Sequence, residues 1–147
     1  MLLAIDPGAD SGWAVFFGRM LVECGLGDSP RFDALRTAQL DNLVIERPVI
    51  YPGGRTKSPN DVVTLALNAG EWAGRYKGIG TRVRYVEPRT WKGTLDPDVC
   101  NVRILACLDS GETDVYRDAT RKVPKRKQHN VIDAIGIGLY ACGRFGR

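Results

Sequence analysis

Three carboxylates sit where acids are costly to place. Asp6 ends the apolar run Met1-Leu2-Leu3-Ala4-Ile5 and is followed by Pro7-Gly8, Glu46 ends Leu43-Val44-Ile45 and is followed by Arg47-Pro48, and Asp133 interrupts Val131-Ile132 and Ala134-Ile135. A carboxylate at the mouth of a buried segment is penalised by desolvation unless a cation or hydrogen-bond donors meet it. Each acid alone has a plain structural explanation. Asp-Pro-Gly is a favoured turn, Glu46 can pair with Arg47 or another basic side chain, and Asp133 can share a helix face with His129 or Asn130, four and three residues before it. Together the three suggest more, because Mg²⁺ is bound by carboxylate oxygens and completes its shell with waters and substrate phosphates. Two such ions about 3.5–4 Å apart can orient a water and stabilise a leaving oxygen in phosphodiester hydrolysis. The basic side chains elsewhere would then clamp phosphates.

The segments that must position these acids are legible from pattern. Leu2 to Ile5 read as a strand buried on both faces, since four consecutive apolar residues leave neither face for water. Residues 12–17 and Met20 to Val22 continue it as an antiparallel meander with the first strand at its edge. Ser29-Pro30 opens a short helix through Arg31 to Gln39. Leu43 to Glu46 form a fourth strand, and the Pro- and Gly-rich residues 47–57 an exposed loop. Ser58-Pro59 starts the clearest helix, with Val62, Leu65, Ala66, Ala69, Trp72 and Ala73 at helical spacing. Ala66, Gly70 and Gly74 give that helix a ridge of small residues, suited to a close-packed copy or to the protein's own sheet. Residues 82–88 are a fifth strand, Val99 to Leu108 a helix, and residues 109–127 a polar, mobile linker. Gln128 to Cys142 read as a final helix, with a strand through residues 135–138 as the alternative.

The 147 residues suit one domain with a single core. A hydrophobic share of 44% with 26% charged residues argues against disorder. A formal charge of +4 is compatible with a polyanionic partner without demanding one. Cys24, Cys100, Cys107 and Cys142 lack metal-ligand spacing, so reduced thiols and a cytoplasmic setting are expected. No run approaches the ~18 apolar residues of a membrane span.

Ile5-Asp6-Pro7-Gly8 with Ser11-Gly12-Trp13, then Val44-Ile45-Glu46-Arg47-Pro48, then His129-Asn130-x-x-Asp133-Ala134, taken in this order, resemble the RuvC-like Holliday junction resolvases of the RNase H-like superfamily, particularly short phage-type members. Glu87-Pro88 followed by Trp91-Lys92 adds to the likeness. It implies an α/β fold, an RNase H-like mixed five-stranded sheet flanked by helices on both faces, in a single domain over residues 1–147. It also implies a homodimer that resolves four-way DNA junctions by paired symmetric nicks, with two Mg²⁺ or Mn²⁺ ions per site. Asp6, Glu46 and Asp133 would be metal ligands, His129 or Asn130 the fourth, and Lys92 would lie near the scissile phosphate. The family often carries two acids three apart in its last helix; here the earlier position holds neutral Asn130. Arg47, Tyr51, Arg55, Lys57, Arg89, Lys92, Lys125, Arg126 and Lys127 form the expected DNA-contacting set, with Tyr51 or Ile50 offered to stack on an opened base.

Other readings share these residues. The same acids could cut flaps, Y-branches or RNA–DNA hybrids, or the protein could bind junctions without cutting them. Asp6-Pro7-Gly8 before Ser11-Gly12 also resembles the first phosphate loop of actin-like ATPases and sugar kinases, which need two such lobes where this length supplies one.

Overall fold

Alternation along two neighbouring strands decides where the first two acids point. The computed structural model describes residues 1–27, 40–50, 59–77 and 80–146. In it β1 (Leu2–Asp6), β2 (Gly12–Phe17), β3 (Met20–Leu26), β4 (Asn42–Glu46) and β5 (Arg82–Val86) form one sheet in the order β3-β2-β1-β4-β5. β1 is antiparallel to β2 and parallel to β4, and β4 is parallel to β5. The first strand is thus at the edge of the meander, as expected, and at the centre of the complete sheet. That position explains its unbroken apolar run, because Leu3 and Ile5 enter one core while Leu2 and Ala4 enter the other. β3 runs four residues beyond the expected Val22, since its pairing with β2 continues past Glu23 and Cys24 to Gly25 and Leu26.

Helices cover both faces. α1 (Pro59–Lys77) lays Ala69, Trp72 and Tyr76 on the side of Leu3, Ile5, Leu43 and Ile45. On the other side lie the short α2 (Pro88–Trp91), α3 (Pro97–Ala106), α4 (Ser110–Thr120) and α5 (Gln128–Ala141). α5 resolves the helix-or-strand alternative in favour of a helix. Its Val131, Ala134, Ile135, Ile137 and Leu139 are buried, and truncating one such side chain, Ile135→Ala, would remove about 2–5 kcal/mol. Gly136 lets the helix approach closely, since a Cβ there would stand 2.6 Å from Trp91 and 2.7 Å from Ile104.

The mobile linker expected over 109–127 is instead largely α4. Asp109 accepts from the Glu112 N–H at 2.9 Å and Glu112 accepts from the Asp109 N–H at 3.0 Å, a capping box that starts the helix. Its polarity belongs to an exposed helix face, while Val115, Tyr116 and Ala119 pack on the core. A single 3-10 turn, Lys125–Lys127, then leads into α5. The expected helix at 31–39 lies outside the described residues, as do Tyr51, Arg55 and Lys57. The four cysteines are unpaired, as expected. Among the described residues no helix is long and apolar enough to cross a membrane.

Candidate active site

β1 and β4 pair in parallel with Leu2 opposite Asn42 and Ile5 opposite Ile45. One residue further, Asp6 and Glu46 stand side by side at the carboxyl ends of their strands. Successive side chains alternate between faces, so Asp6 follows Leu2 and Ala4, and Glu46 follows Val44, onto the face covered by α5. That helix carries Asp133. The sheet register and one helix therefore bring the three acids to one place.

The C-terminal end of α2 supplies their partners. Lys92 Nζ lies 3.2 Å from Asp133 Oδ2 and 3.8 Å from Glu46 Oε2. Trp91, only 1% exposed, donates its indole N–H to the same Glu46 oxygen at 2.7 Å. The Lys92 ammonium also sits 4.8 Å from the centre of the Trp91 ring. Pro88 at the first turn of α2 fixes this helix's entry, and the Lys92 N–H closes it on the Pro88 carbonyl. Of the basic partners open to Glu46, Lys92 is the one it meets, and Arg47 turns away to pair with Glu87.

One ammonium does not balance three carboxylates. Burial first, and then the charges of Glu46 and Asp133, push the Asp6 carboxyl well above the usual carboxylate range against the pull of Lys92. Glu46 is raised too, chiefly by burial, despite Lys92 and the Trp91 N–H. Burial acts to lower the Lys92 ammonium, but Glu46 and Asp133 more than offset it and hold it protonated. Among the described residues no three His, Cys, Asp or Glu side chains are grouped closely enough to hold an ion as they stand. The donor set nevertheless fits a hard divalent cation, since the acids offer only oxygen ligands and the cluster is short of positive charge.

The first turn of α5 is stitched to the turn that follows Asp6. Asn130 Nδ2 donates to the Asp10 carbonyl at 2.8 Å, and Lys127 Nζ meets Asp10 Oδ1 at 2.7 Å. Gly12 lies against the Asn130 backbone so tightly that a Cβ would stand 1.9 Å from its carbonyl oxygen. Ser11 donates to the Gly8 carbonyl at 3.0 Å and accepts from the Trp72 indole at 3.2 Å, tying the same turn to α1. Of the two alternatives for a fourth ligand, Asn130 thus gives an amide proton to this tie and keeps its Oδ1. His129 is exposed and lines the same groove as Lys92 and Asp133.

No family model and no curated protein matches the chain. Solved structures do. The Fowlpox virus resolvase, solved with Holliday junction DNA, aligns over 97% of this chain and 99% of its own at 18% identity and a TM-score of 0.62. RuvC of T. thermophilus aligns in complex with a Holliday junction substrate over 99% of this chain and 98% of its own, at 15% identity and a TM-score of 0.50. A further Thermus thermophilus RuvC structure gives 16% identity and a TM-score of 0.50 over the same shares. The chain has the resolvase fold. At these identities the likeness is one of fold, and it bears out the mixed five-stranded sheet with helices on both faces.

Within this resolvase fold the expected DNA-contacting cations divide. Lys92 stands among the acids, Lys125 lines the groove beside them, and Arg89 lines the adjoining cleft with Trp91. Arg126 is exposed. Lys127 and Arg47 are instead held by Asp10 and Glu87. Ile50 is exposed, 58%. Residue-type reasoning missed Trp91 and Asp10. Trp91 carried a signal, because a large aromatic beside Lys92 would bury its ring and its N–H would then need an acceptor. Asp10 carried none, as its partners are more than a hundred residues away.

Proposed function

We propose that the protein is a divalent-metal-dependent endonuclease that resolves four-way DNA junctions by paired nicks. The observation that carries this reading is the meeting of Asp6, Glu46 and Asp133 around Lys92 at the ends of two parallel strands. The fold shared along nearly its whole length with resolvases solved on Holliday junction DNA supports the choice of substrate.

Asp6, Glu46 and Asp133 would hold Mg²⁺ or Mn²⁺, with His129 as the further ligand or Asn130 through the Oδ1 that its tie to Asp10 leaves open. Bound there, a pair of such ions supplies activation of the attacking water and neutralisation of the departing 3′ oxygen, leaving a 5′ phosphate. The chain's own contribution is orientation and charge. Trp91 fixes one oxygen of Glu46 and leaves the other to a ligand. Lys92, held between Glu46 and Asp133, is a fixed cation for the developing charge on the phosphate. The tie from Asn130 and Lys127 to Asp10 keeps the strand-end acid in register with the helical one.

Paired cuts need two sites, and α1 supports a two-fold homodimer. Val63 and Leu67 are 56% and 64% exposed, and none of the described residues comes within 4 Å of where a Cβ would stand at Gly70 or Gly74. The small ridge is therefore not used against the protein's own sheet. Isologous packing of two copies would cover it and set the two active sites against a nearly symmetric junction.

The test uses end-labelled four-way junction, flap, RNA–DNA hybrid and linear duplex, with Mg²⁺, Mn²⁺ or EDTA, beside Asp6→Asn. Symmetric, ligatable nicks in the junction alone, lost with EDTA and in the variant, are the expected result. Cutting of flap or hybrid at comparable rates would replace the reading with a general branch nuclease, and tight junction binding without cutting would make it a binding protein.

A further inference from the structure

The groove beside the acids contains more than hydrolysis of a phosphodiester uses. A cavity of about 470 Å³ adjoins Lys92 and Asp133, within the size range of pockets that enclose small organic ligands. It is bounded by the loop after Lys92, the start of α3 and the first turn of α5. Leu95, Pro97 and Ile132 give it apolar wall. Two side-chain amides also line it, and each is available in a defined way.

Gln128 Nε2 donates to the Thr120 carbonyl at 3.3 Å and to the Val123 carbonyl at 3.0 Å. Both amide protons are thereby used, so Oε1 is the only atom with which Gln128 can meet a ligand, and it can only accept. Asn101, half-buried on α3, has no hydrogen-bond partner among the described residues. Its amide is free to donate and to accept. Lys125 adds an exposed cation to the lining. Apolar wall for a flat ring, a fixed acceptor with a free amide for its edge, and a cation for a phosphate together describe a nucleotide.

We propose that this cavity receives the base of one nucleotide flanking the scissile phosphate, unstacked from its strand, and favours bases with an exocyclic amino group over thymine. Gln128 Oε1 accepts from the amino group, and Asn101 meets the neighbouring ring nitrogen or carbonyl. Unstacking is least unfavourable where pairing and stacking are already weakened, as they are for the pairs that abut the crossover of an opened junction. The proposal rests on the nuclease reading above, and it adds a sequence preference next to the cut.

The test first maps the nick with wild-type protein, then places 2-aminopurine in turn at the two nucleotides on either side of it. In complex with Asp6→Asn, which should bind without cutting, one position should show a several-fold rise in fluorescence. Filling the cavity with Leu95→Trp should abolish that rise while junction binding persists. Replacing adenine by purine at that position, which removes only the amino group, should lower kcat/KM roughly tenfold, and Asn101→Leu should shrink the difference between adenine and thymine. No rise at any position, with adenine, purine and thymine cut alike, overturns the pocket and leaves the nuclease standing. A rise and base preference around nicks in flaps or hybrids keeps the pocket and overturns the four-way reading. Absence of any nick, together with no rise at the crossover nucleotides of the bound junction, overturns both.

Discussion

Glu46 and Glu112 are both withdrawn from water beside a cation, yet their surroundings move them in opposite directions. Glu112, 2% exposed, accepts from the Leu21 N–H at 2.7 Å, from the Asp109 N–H at 3.0 Å, and from both arms of Arg144 at 2.6 and 2.7 Å. Burial would raise it, but the hydrogen bonds from Arg144, Leu21 and Asp109 bring it down to about 2. Arg144 is completed in turn by the carbonyls of Arg19 and Cys107. Glu46 has one indole N–H and a share of one ammonium, and burial wins. A carboxylate whose oxygens are filled by protein donors is architecture: Glu112 and Arg144 bind α4, β3 and the C-terminal segment together. One left short of donors and of positive charge, as Glu46 is, suits the cation proposed above.

The largest expected effect tests the filled site. Arg144→Met strands a buried carboxylate, and stability should fall by about 3–5 kcal/mol in urea denaturation, with cleavage per folded molecule retained. A loss below about 1 kcal/mol, the level of a surface ion pair, would dissolve the contrast. Next comes the site of the three acids. Asp6→Asn should reduce cleavage on the order of 10²–10³-fold, and yet raise Tm in EDTA. The sign follows from a folded-state acidity raised by burial and like charge: the ionised form destabilises at neutral pH, and the amide relieves it. A drop in Tm would show that Asp6 is completed within the protein after all.

Acid titration should separate the two regions. Glu112, lowered from 4.5 to about 2, stabilises fully above its ordinary value, and that stability is lost as pH falls from there towards 2. The loss is roughly 3 kcal/mol at ~1.36 kcal/mol per unit. Asp6 and Glu46, being raised, act the other way, so stability in EDTA gains as pH falls through their folded values. Urea midpoints from pH 7 to 2 should show the acid loss in wild type and a flatter limb in Glu112→Gln. Mg²⁺ at about a hundred times its dissociation constant should add about 2.7 kcal/mol to wild type and much less to Asp6→Asn, read by thermal shift. The smallest effect belongs to Trp91→Phe, which removes a hydrogen bond to a charged group. About 1.5 kcal/mol, or roughly tenfold in cleavage rate, should be lost, without the collapse in stability expected at Arg144.

The same contrast explains what could be read in advance. Asp6, Glu46 and Asp133 were legible because each breaks an apolar pattern, and a broken pattern is a local signal. Glu112 and Arg144 lie in polar surroundings where another charge breaks nothing, so residues 109–127 read as a linker although Asp109-x-x-Glu112 is a capping box. Lys127 read as a phosphate clamp because its charge is visible in sequence and its partner Asp10 is not. Asn130 stood level with His129 for a similar reason, since helical spacing brings both near Asp133 and cannot show that the Asn130 amide nitrogen is tied to Asp10.

The sequence by itself determined the residue types and their direction within each element. Period-two alternation sends Asp6 and Glu46 to the same side as the even-numbered core residues, and helical spacing sets Asp133 among apolar neighbours. Only the tertiary structure decided which groups meet: Lys92 and Trp91 with Glu46, Asn130 and Lys127 with Asp10, Arg144 with Glu112. Direction within a strand or helix follows from backbone geometry over a few residues, whereas each of these pairs spans more than thirty. Such pairs exist only once the elements have packed, and local spacing contains no information about that packing.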